Sequence, residues 1–138
     1  MANIVLNRLE HVIVTEHLGL GLSDQPGSGF GMGRHDRNLG ATELRAGSGG
    51  IAVETGDRLL ADETPDFIKL DVEGMEMQVL AGLQATIART RPLMLVEVTD
   101  VNSAAFGQWC LTRGYHLLEE WRVGPRNANY LIEPEERR

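Results

Sequence analysis

One segment, residues 67–98, constrains the fold more than any other part of the chain. Its first part, Phe67–Val72, predicts a strand, and apolar residues at helical spacing then predict one amphipathic helix over Met75–Thr90. Pro92 ends this helix, and the almost wholly apolar Leu93–Val98 predicts a second strand that is covered on both faces. A strand, a helix and a strand within about 30 residues form a βαβ unit, whose two strands run parallel. The segment therefore indicates an α/β fold.

The residues after this unit predict a helix and two closing strands. Ser103–Arg113 has the pattern of a helix that its first residue can cap and that the following glycine ends. Tyr115–Trp121 and Asn129–Ile132 predict strands, and the short turn between them favours antiparallel pairing. Glu133–Arg138 is expected to be a frayed tail.

The residues before the unit have weaker patterns. Apolar residues in Ala2–Leu9 are spaced for a short helix. The segment His11–Thr15 is rich in β-branched residues and predicts a strand. Residues 19–50 hold most of the glycines and predict a loop or hairpin insertion, with short strands near Phe30 and at Ile51–Glu54. The alternating glycines do not indicate a phosphate-binding loop, because no strong apolar strand precedes them and no clear helix follows.

Composition narrows the class of protein. A chain of 138 residues suits one domain, and we expect residues 1–138 to form a single one. A net charge of −7 does not provide the basic surface that a nucleic-acid partner requires. Cys110 is the single cysteine, so the chain forms no internal disulfide and no cysteine-based zinc site, and apolar neighbours favour burial of its thiol. The sequence has neither a signal peptide nor an apolar run of membrane-spanning length, which predicts a cytoplasmic protein without membrane partners.

Acidic residues lie at or near the carboxyl ends of both strands of the βαβ unit. Asp71 and Glu73 lie where the first strand ends, beside Gly74, and Glu97 interrupts the apolar second strand. Because the carboxyl ends of parallel strands meet at one edge of a sheet, we expect these three carboxylates to lie close together. Such a cluster can accept a proton from an alcohol, orient a hydroxyl or hold a divalent metal ion. Capping of the following helix by the two acids is an equally open interpretation, and an ion pair with Lys69 is another.

The segment PDFIKLDVEGMEMQVLAGLQATIARTRPLMLVEV resembles the signature of FkbM-type S-adenosylmethionine-dependent methyltransferases, D-x-I-K-x-D-V-E-G-x-E…V-L-x-G…P…E-V. The likeness covers nearly the whole chain and is strongest over residues 65–98. Outside that part, Asn3–Asn7, Leu20–Asp24 and Val53–Asp57 are similar to the family's N-x-x-L-N helix, the strand end after it and the strand before the signature. The matching signature positions are Asp66, Ile68, Lys69, Asp71, Val72, Glu73, Gly74, Glu76, Val79, Leu80, Gly82, Pro92, Glu97 and Val98.

The resemblance implies a partial Rossmann-like methyltransferase sheet, mostly parallel, with an antiparallel C-terminal strand pair and helices covering its faces. It also implies methyl transfer from S-adenosylmethionine, commonly to a hydroxyl of a sugar, lipid or secondary metabolite, and it assigns no metal ligand. Leu22, Ser23, Asp24 and Asp71 are then expected near the cofactor. Asp71 or Glu73 is expected to accept the proton of the acceptor hydroxyl, with Glu97 in support.

The family's glycine-rich cofactor loop, D-x-G-x-x-x-G, is expected several dozen residues before Asn3 and is not in this sequence. We therefore expect a truncated domain whose cofactor binding and activity depend on the missing part. Strands left without neighbours predict a homo-oligomer formed through a sheet edge or an apolar face. Arg34–Leu44 either overhangs the site and selects the substrate or connects two strands without touching a ligand.

Two other functions remain open at this stage. The first is a non-enzymatic, oligomeric interaction module on a methyltransferase-derived scaffold. The second is a magnesium-dependent hydrolytic site at the carboxylates, for which the sequence offers no histidine at a convincing spacing.

Overall fold

A computed structural model describes residues 2–33, 43–47 and 49–135 of the chain. Helices and strands alternate from β4 to β7, as expected for an α/β protein. No helix within the described residues is both long and apolar enough to cross a membrane. The elements in chain order are α1 (Ala2–Leu6), β1 (Gly21–Leu22), β2 (Gly27–Gly33), β3 (Glu43–Ala46), β4 (Ile51–Glu54), α2 (Gly56–Leu59), β5 (Phe67–Leu70), α3 (Glu76–Gly82), α4 (Gln84–Thr90), β6 (Leu93–Thr99), α5 (Ser103–Arg113), β7 (Tyr115–Arg122) and β8 (Asn127–Pro134).

The C-terminal half forms a four-stranded sheet in the order β5-β6-β8-β7. β5 and β6 pair in parallel, with Phe67 opposite Leu93 and Lys69 opposite Leu95, so the predicted βαβ unit is confirmed. β8 lies antiparallel to both β6 and β7, which confirms the predicted pairing of the two closing strands. This sheet therefore has its one parallel pair at the edge that carries the acidic residues.

A second four-stranded sheet, in the order β1-β4-β2-β3, forms from the N-terminal half. Of the six strand pairings within the described residues, β1–β4 and β5–β6 are parallel and four are antiparallel. The expectation of one mostly parallel Rossmann-like sheet is therefore wrong for this chain, which is an α/β fold with two mixed sheets. The reason is connectivity: parallel neighbours need a long crossover, whereas β7 and β8 are joined by a short turn and return antiparallel.

The helix predicted over Met75–Thr90 is two helices, α3 and α4, which meet at Leu83. Leu83 leaves the helical region at φ −107° and ψ 7°. The carboxylate of Asp57 accepts hydrogen bonds from the backbone N–H groups of Ala85 and Thr86, at 2.9 and 2.7 Å. The first N–H groups of a helix have no partner within the helix, and Asp57 accepts from two of them at the start of α4. This contact, from a residue 28 positions away, therefore stabilises a new helix start in the middle of the predicted helix. The end of α4 is as predicted, since Arg91 adopts a left-handed conformation directly before Pro92.

Three smaller expectations are also corrected. Residues 11–15 form turns and irregular backbone instead of a strand, because no neighbouring strand pairs with them in the described structure. Asn102, not Ser103, is the N-cap residue of α5, and it makes no side-chain cap hydrogen bond. β8 extends through Pro134, so Glu133 is paired with His116 across the sheet and the predicted tail starts later than expected.

The hydrophobic core lies between the C-terminal sheet and helices α3, α4 and α5. Burial alternates along β6, where Met94, Val96 and Val98 are almost completely buried. The intervening residues, including Leu95 and Glu97, are only half-buried. The second strand of the unit is therefore fully covered on one face and not on both, and the half-covered face is the one that carries Glu97.

Candidate functional site

The pairing of β5 with β6 places two of the predicted carboxylates side by side. Lys69 lies opposite Leu95 in this parallel pair, and Asp71 and Glu97 each lie two residues further along. Because side chains alternate along strands, these two acids project from the same face at the carboxyl end of the pair. That face is the half-covered one, so the acids are accessible to a ligand.

Asp71, Glu73 and Glu97 form one cluster, as the sequence predicts. Each offers a carboxylate oxygen, and these three oxygens all lie within 4.8 Å of one another. Asp71 is exposed, whereas Glu73 and Glu97 are half-buried. Three like charges at this spacing repel, and the concentration of negative charge favours binding of a cation.

Neighbouring polar groups offset part of this repulsion. Lys69 Nζ lies 2.9 Å from Asp71 Oδ2, which is the ion pair that the sequence left open, although both side chains are well exposed. The side-chain amide of Asn127, on β8, donates a 2.8 Å hydrogen bond to Glu97 Oε1. An exposed pair of this kind contributes little energy, so Asp71 stays accessible to a ligand.

The third carboxylate lies on an unusual turn. Glu73 has φ 45° and Gly74 has φ 94°, two successive positive values between β5 and α3. A non-glycine residue in this region costs about 1–3 kcal/mol and is held there only by its surroundings. No described atom lies within 4 Å of the position that a Cβ on Gly74 would occupy, so the turn is open on that side. The N-cap residue of α3 is Met75, and its side chain makes no cap hydrogen bond.

A fourth acid, Glu76, supports this turn from inside the protein. Its side chain is 1% exposed, and its Oε1 accepts a 2.9 Å hydrogen bond from the backbone N–H of Gly74. Asn102 donates to its other oxygen with a short hydrogen bond. Sequence reasoning matched Glu76 to the family signature but assigned it no role, and it overlooked Asn102 and Asn127. For Asn102 a sequence signal was available, because it directly precedes the predicted helix start at Ser103, a position where asparagine is favoured.

Other chemically reactive side chains lie outside the cluster. Asp100 pairs with Arg122, whose guanidinium donates hydrogen bonds of 2.8 and 3.3 Å to its two oxygens. These hydrogen bonds, followed by the opposite charge, hold the pKa of Asp100 below its usual value. Burial raises the pKa of Cys110 to about 11, which keeps the thiol protonated at neutral pH and fits the predicted packing role.

The predicted adenine-side residues lie away from the carboxylates. Leu22 is in β1, and Ser23 is almost buried, with its hydroxyl donating to Asp24 at 3.0 Å. The Ser23 carbonyl packs against Gly82, at the far end of α3 from the Glu73–Gly74 turn. Seven helical residues at 1.5 Å each separate the two ends by about 10 Å. The structure thus brings the predicted catalytic residues together but does not place residues 22–24 beside them.

Two further parts of the molecule complete the description. Most of the predicted substrate-selecting segment, residues 34–42, lies outside the described residues. A groove of about 310 Å³ runs between α4 and α5, and Arg91, Trp109 and Arg113 contribute to its walls. None of the predicted site residues lines this groove, so its chemistry is separate from that of the carboxylates.

Comparison with known proteins agrees with the signature. Residues 12–135 match the family model described as the methyltransferase FkbM domain. A solved structure, the methyltransferase FkbM from Methylobacillus flagellatus KT, is similar over 94% of this chain with a TM-score of 0.57 and 19% identity. The similar region is 32% of that protein's chain, so this chain spans about a third of its length. A search of curated proteins found no match.

The structural likeness shows that the chain shares the α/β fold of that protein over 94% of its own length. Because the family model matches most of its length, the chain belongs to the FkbM methyltransferase family.

Proposed function

We propose that this chain is part of an S-adenosylmethionine-dependent O-methyltransferase that acts on a hydroxyl of a small molecule such as a sugar, lipid or secondary metabolite. The observation that carries the proposal is the clustering of Asp71, Glu73 and Glu97 within 4.8 Å. Membership of the FkbM family supplies the reaction class, and the carboxylates supply groups suited to that reaction.

The chemistry of these residues fits the cofactor in two respects. S-adenosylmethionine carries an electrophilic methyl group on a positively charged sulfur, and three carboxylates favour a cation nearby. Gly74 leaves open space beside the turn, so a ligand can approach the backbone closely. Asp71 and Glu73 would lie on the side of the transferred methyl, and Leu22, Ser23 and Asp24 are the residues proposed to hold the adenine.

The carboxylates would act on the acceptor hydroxyl. Asp71 or Glu73 accepts the hydroxyl proton as the oxygen becomes nucleophilic, and Glu97 orients the same hydroxyl by accepting a hydrogen bond. Glu97 suits an orienting role because the amide of Asn127 fixes one of its oxygens. Displacement at a methyl carbon needs alignment above all, so a rigid carboxylate frame contributes through positioning as well as through proton transfer.

Calorimetric titration with S-adenosylmethionine tests this proposal. We expect micromolar binding that weakens at least tenfold, about 1.4 kcal/mol, in D71N and E73Q, because each removes a negative charge from the cation site. The matched control is D62N, which removes an exposed acid outside the cluster. Binding that is equal in all four proteins contradicts the proposed site. If the chain alone does not bind, the same variants are compared in a longer form extended at the N-terminus, and failure there also rejects the proposal.

A magnesium-dependent hydrolase is a second candidate, because the three oxygens also have the spacing of a carboxylate cation site. This function requires magnesium binding that E97Q abolishes and phosphoester hydrolysis that a chelator stops. Methyl transfer that persists in the presence of the chelator decides for the first proposal.

A further inference from the structure

We infer that Glu76, held by Asn102, is a positioning residue that fixes the Glu73–Gly74 turn and so sets the geometry of the carboxylate cluster. The consequence for ligand binding rests on the proposed methyltransferase function. The effect on the turn stands independently of that function.

The first support is the burial of the Glu76 carboxylate together with its complete set of donors. A side chain 1% exposed cannot carry a charge cheaply unless hydrogen bonds replace the lost water. Glu76 receives such bonds from the Gly74 N–H at 2.9 Å, from the Asn102 side-chain amide, and from Thr99 Oγ1 at 3.5 Å. These donors belong to the turn after β5, the start of α5 and the end of β6, so one carboxylate joins three segments.

The second support is that both polar groups of Gly74 are held. Its N–H donates to Glu76, and its carbonyl accepts a 3.1 Å hydrogen bond from the Asn102 side-chain amide. One amide group of Asn102 therefore contacts both Gly74 and Glu76. Because Glu73, a residue with a Cβ, has a positive φ, the turn needs such outside support to persist.

The third support is the position of the anchors relative to the cluster. Glu73 is adjacent to Gly74, and Glu97 lies two residues before Thr99 on β6. A contact from Glu76 to both Gly74 and Thr99 thus ties together the two strand ends that carry the cluster. Loss of this contact is expected to change the spacing of the carboxylates without altering any of them.

A double-mutant cycle with E76Q and N102A tests the inference. Glutamine keeps one oxygen for the Gly74 N–H but turns an NH2 group toward that of Asn102, so two donors face each other. N102A removes the Asn102 donor, and since this side chain makes no cap bond to α5, the change is directed at the turn. The matched control is D57N, another carboxylate that accepts two backbone hydrogen bonds from a distant segment, at the start of α4.

The first measurement is hydrogen exchange of the Gly74 amide by NMR, which needs no cofactor. We expect at least tenfold faster exchange in E76Q and in N102A, and an effect in the double variant well below the product of the two. In D57N, the exchange rate of the Gly74 amide is expected to rise only by the amount that the loss in unfolding free energy explains. Unchanged exchange in E76Q, or effects of E76Q and N102A that simply multiply, overturns the inference.

The second measurement is S-adenosylmethionine affinity in the same four variants. We expect E76Q and N102A to weaken binding at least tenfold. D57N, measured where its loss of unfolding free energy equals theirs, is expected to keep the wild-type affinity within threefold. Equal weakening in D57N means that Glu76 acts through general stability, which overturns the positioning role. If the wild-type chain shows the Gly74 result but neither it nor the N-terminally extended form binds cofactor, the positioning of the turn holds and the proposed function fails.

Discussion

Gly82 provides a sharp test of how the N-terminal sheet packs on the rest of the protein. A Cβ at residue 82 would lie 2.1 Å from the carbonyl oxygen of Ser23 and 3.0 Å from its carbonyl carbon. A comfortable C···O contact is about 3.3 Å, so G82A must push two backbones apart by about 1 Å. Neither partner is a flexible side chain, so the strain cannot be relieved by a change of rotamer.

Gly107 is the matched control for this substitution. It lies inside α5 with no described atom within 4 Å of its absent Cβ, so alanine there meets open space. G107A should stabilise the protein by about 1 kcal/mol through helix propensity alone. G82A gains less propensity, because residue 82 is the last of α3, and its overpacking costs about 1–3 kcal/mol or more, so it should be destabilised on balance.

Urea unfolding followed by circular dichroism measures both variants against the wild type. With a slope of about 1–3 kcal/mol per M, the midpoints of G107A and G82A should differ by about 1 M. If G82A moves to higher urea as G107A does, Ser23 does not pack against α3, and the placement of Leu22–Asp24 far from the carboxylates is refuted.

Three further predictions concern other parts of the molecule. Since burial raises the pKa of Cys110 from 9.0 to about 11, iodoacetamide at pH 8 should alkylate the native chain about 100-fold more slowly than the urea-unfolded chain, and rates within tenfold of each other would contradict this. The pKa of Asp100 is lowered in the fold, so its pairing with Arg122 stabilises the protein at pH above the unfolded pKa of 3.8, and this stability is lost as pH falls through the folded pKa. The urea midpoint of D100N should therefore fall less between pH 5 and pH 2.5 than that of the wild type. An equal fall in both proteins would argue against the pair. The sequence predicts self-association through a sheet edge or an apolar face. If the β5 edge, where Phe67 is 50% exposed, forms this contact, a dimer should appear in sedimentation velocity and disappear in F67K, whereas a wild-type monomer at high concentration would rule it out.

Local pattern was sufficient for the βαβ unit and the closing strand pair. The apolar run at Leu93–Val98 and the two strands around the turn after Val123 depend on neighbours close in sequence, and the structure forms strands at all three, although β8 is longer than predicted. The carboxylate cluster was predictable for the same reason, because parallel pairing of the strands dictates that Asp71 and Glu97 meet.

The errors arose where a distant contact overrides local pattern. Periodicity over Met75–Thr90 cannot show that Asp57 supplies two acceptors to the middle of the segment and so divides it into two helices. A β-branched run such as His11–Thr15 becomes a strand only if another strand lies beside it, and its sequence contains no information about that partner.

The acids of the signature segment illustrate why spacing alone could not rank the site residues. Asp71, Glu73 and Glu76 lie within six positions, yet the first is exposed beside Lys69, the second lies on a left-handed turn, and the third is almost completely buried. Their chemical roles follow from these surroundings: an exposed acid can meet a ligand, whereas a buried acid with three donors can only hold its neighbours in place. Burial of Glu76 depends on Asn102, from the start of another helix, so the division of roles among these acids is a tertiary property. For that reason, substitution of the acid farthest from solvent should disturb the site through its geometry, while substitution of Asp71 should disturb it through its charge.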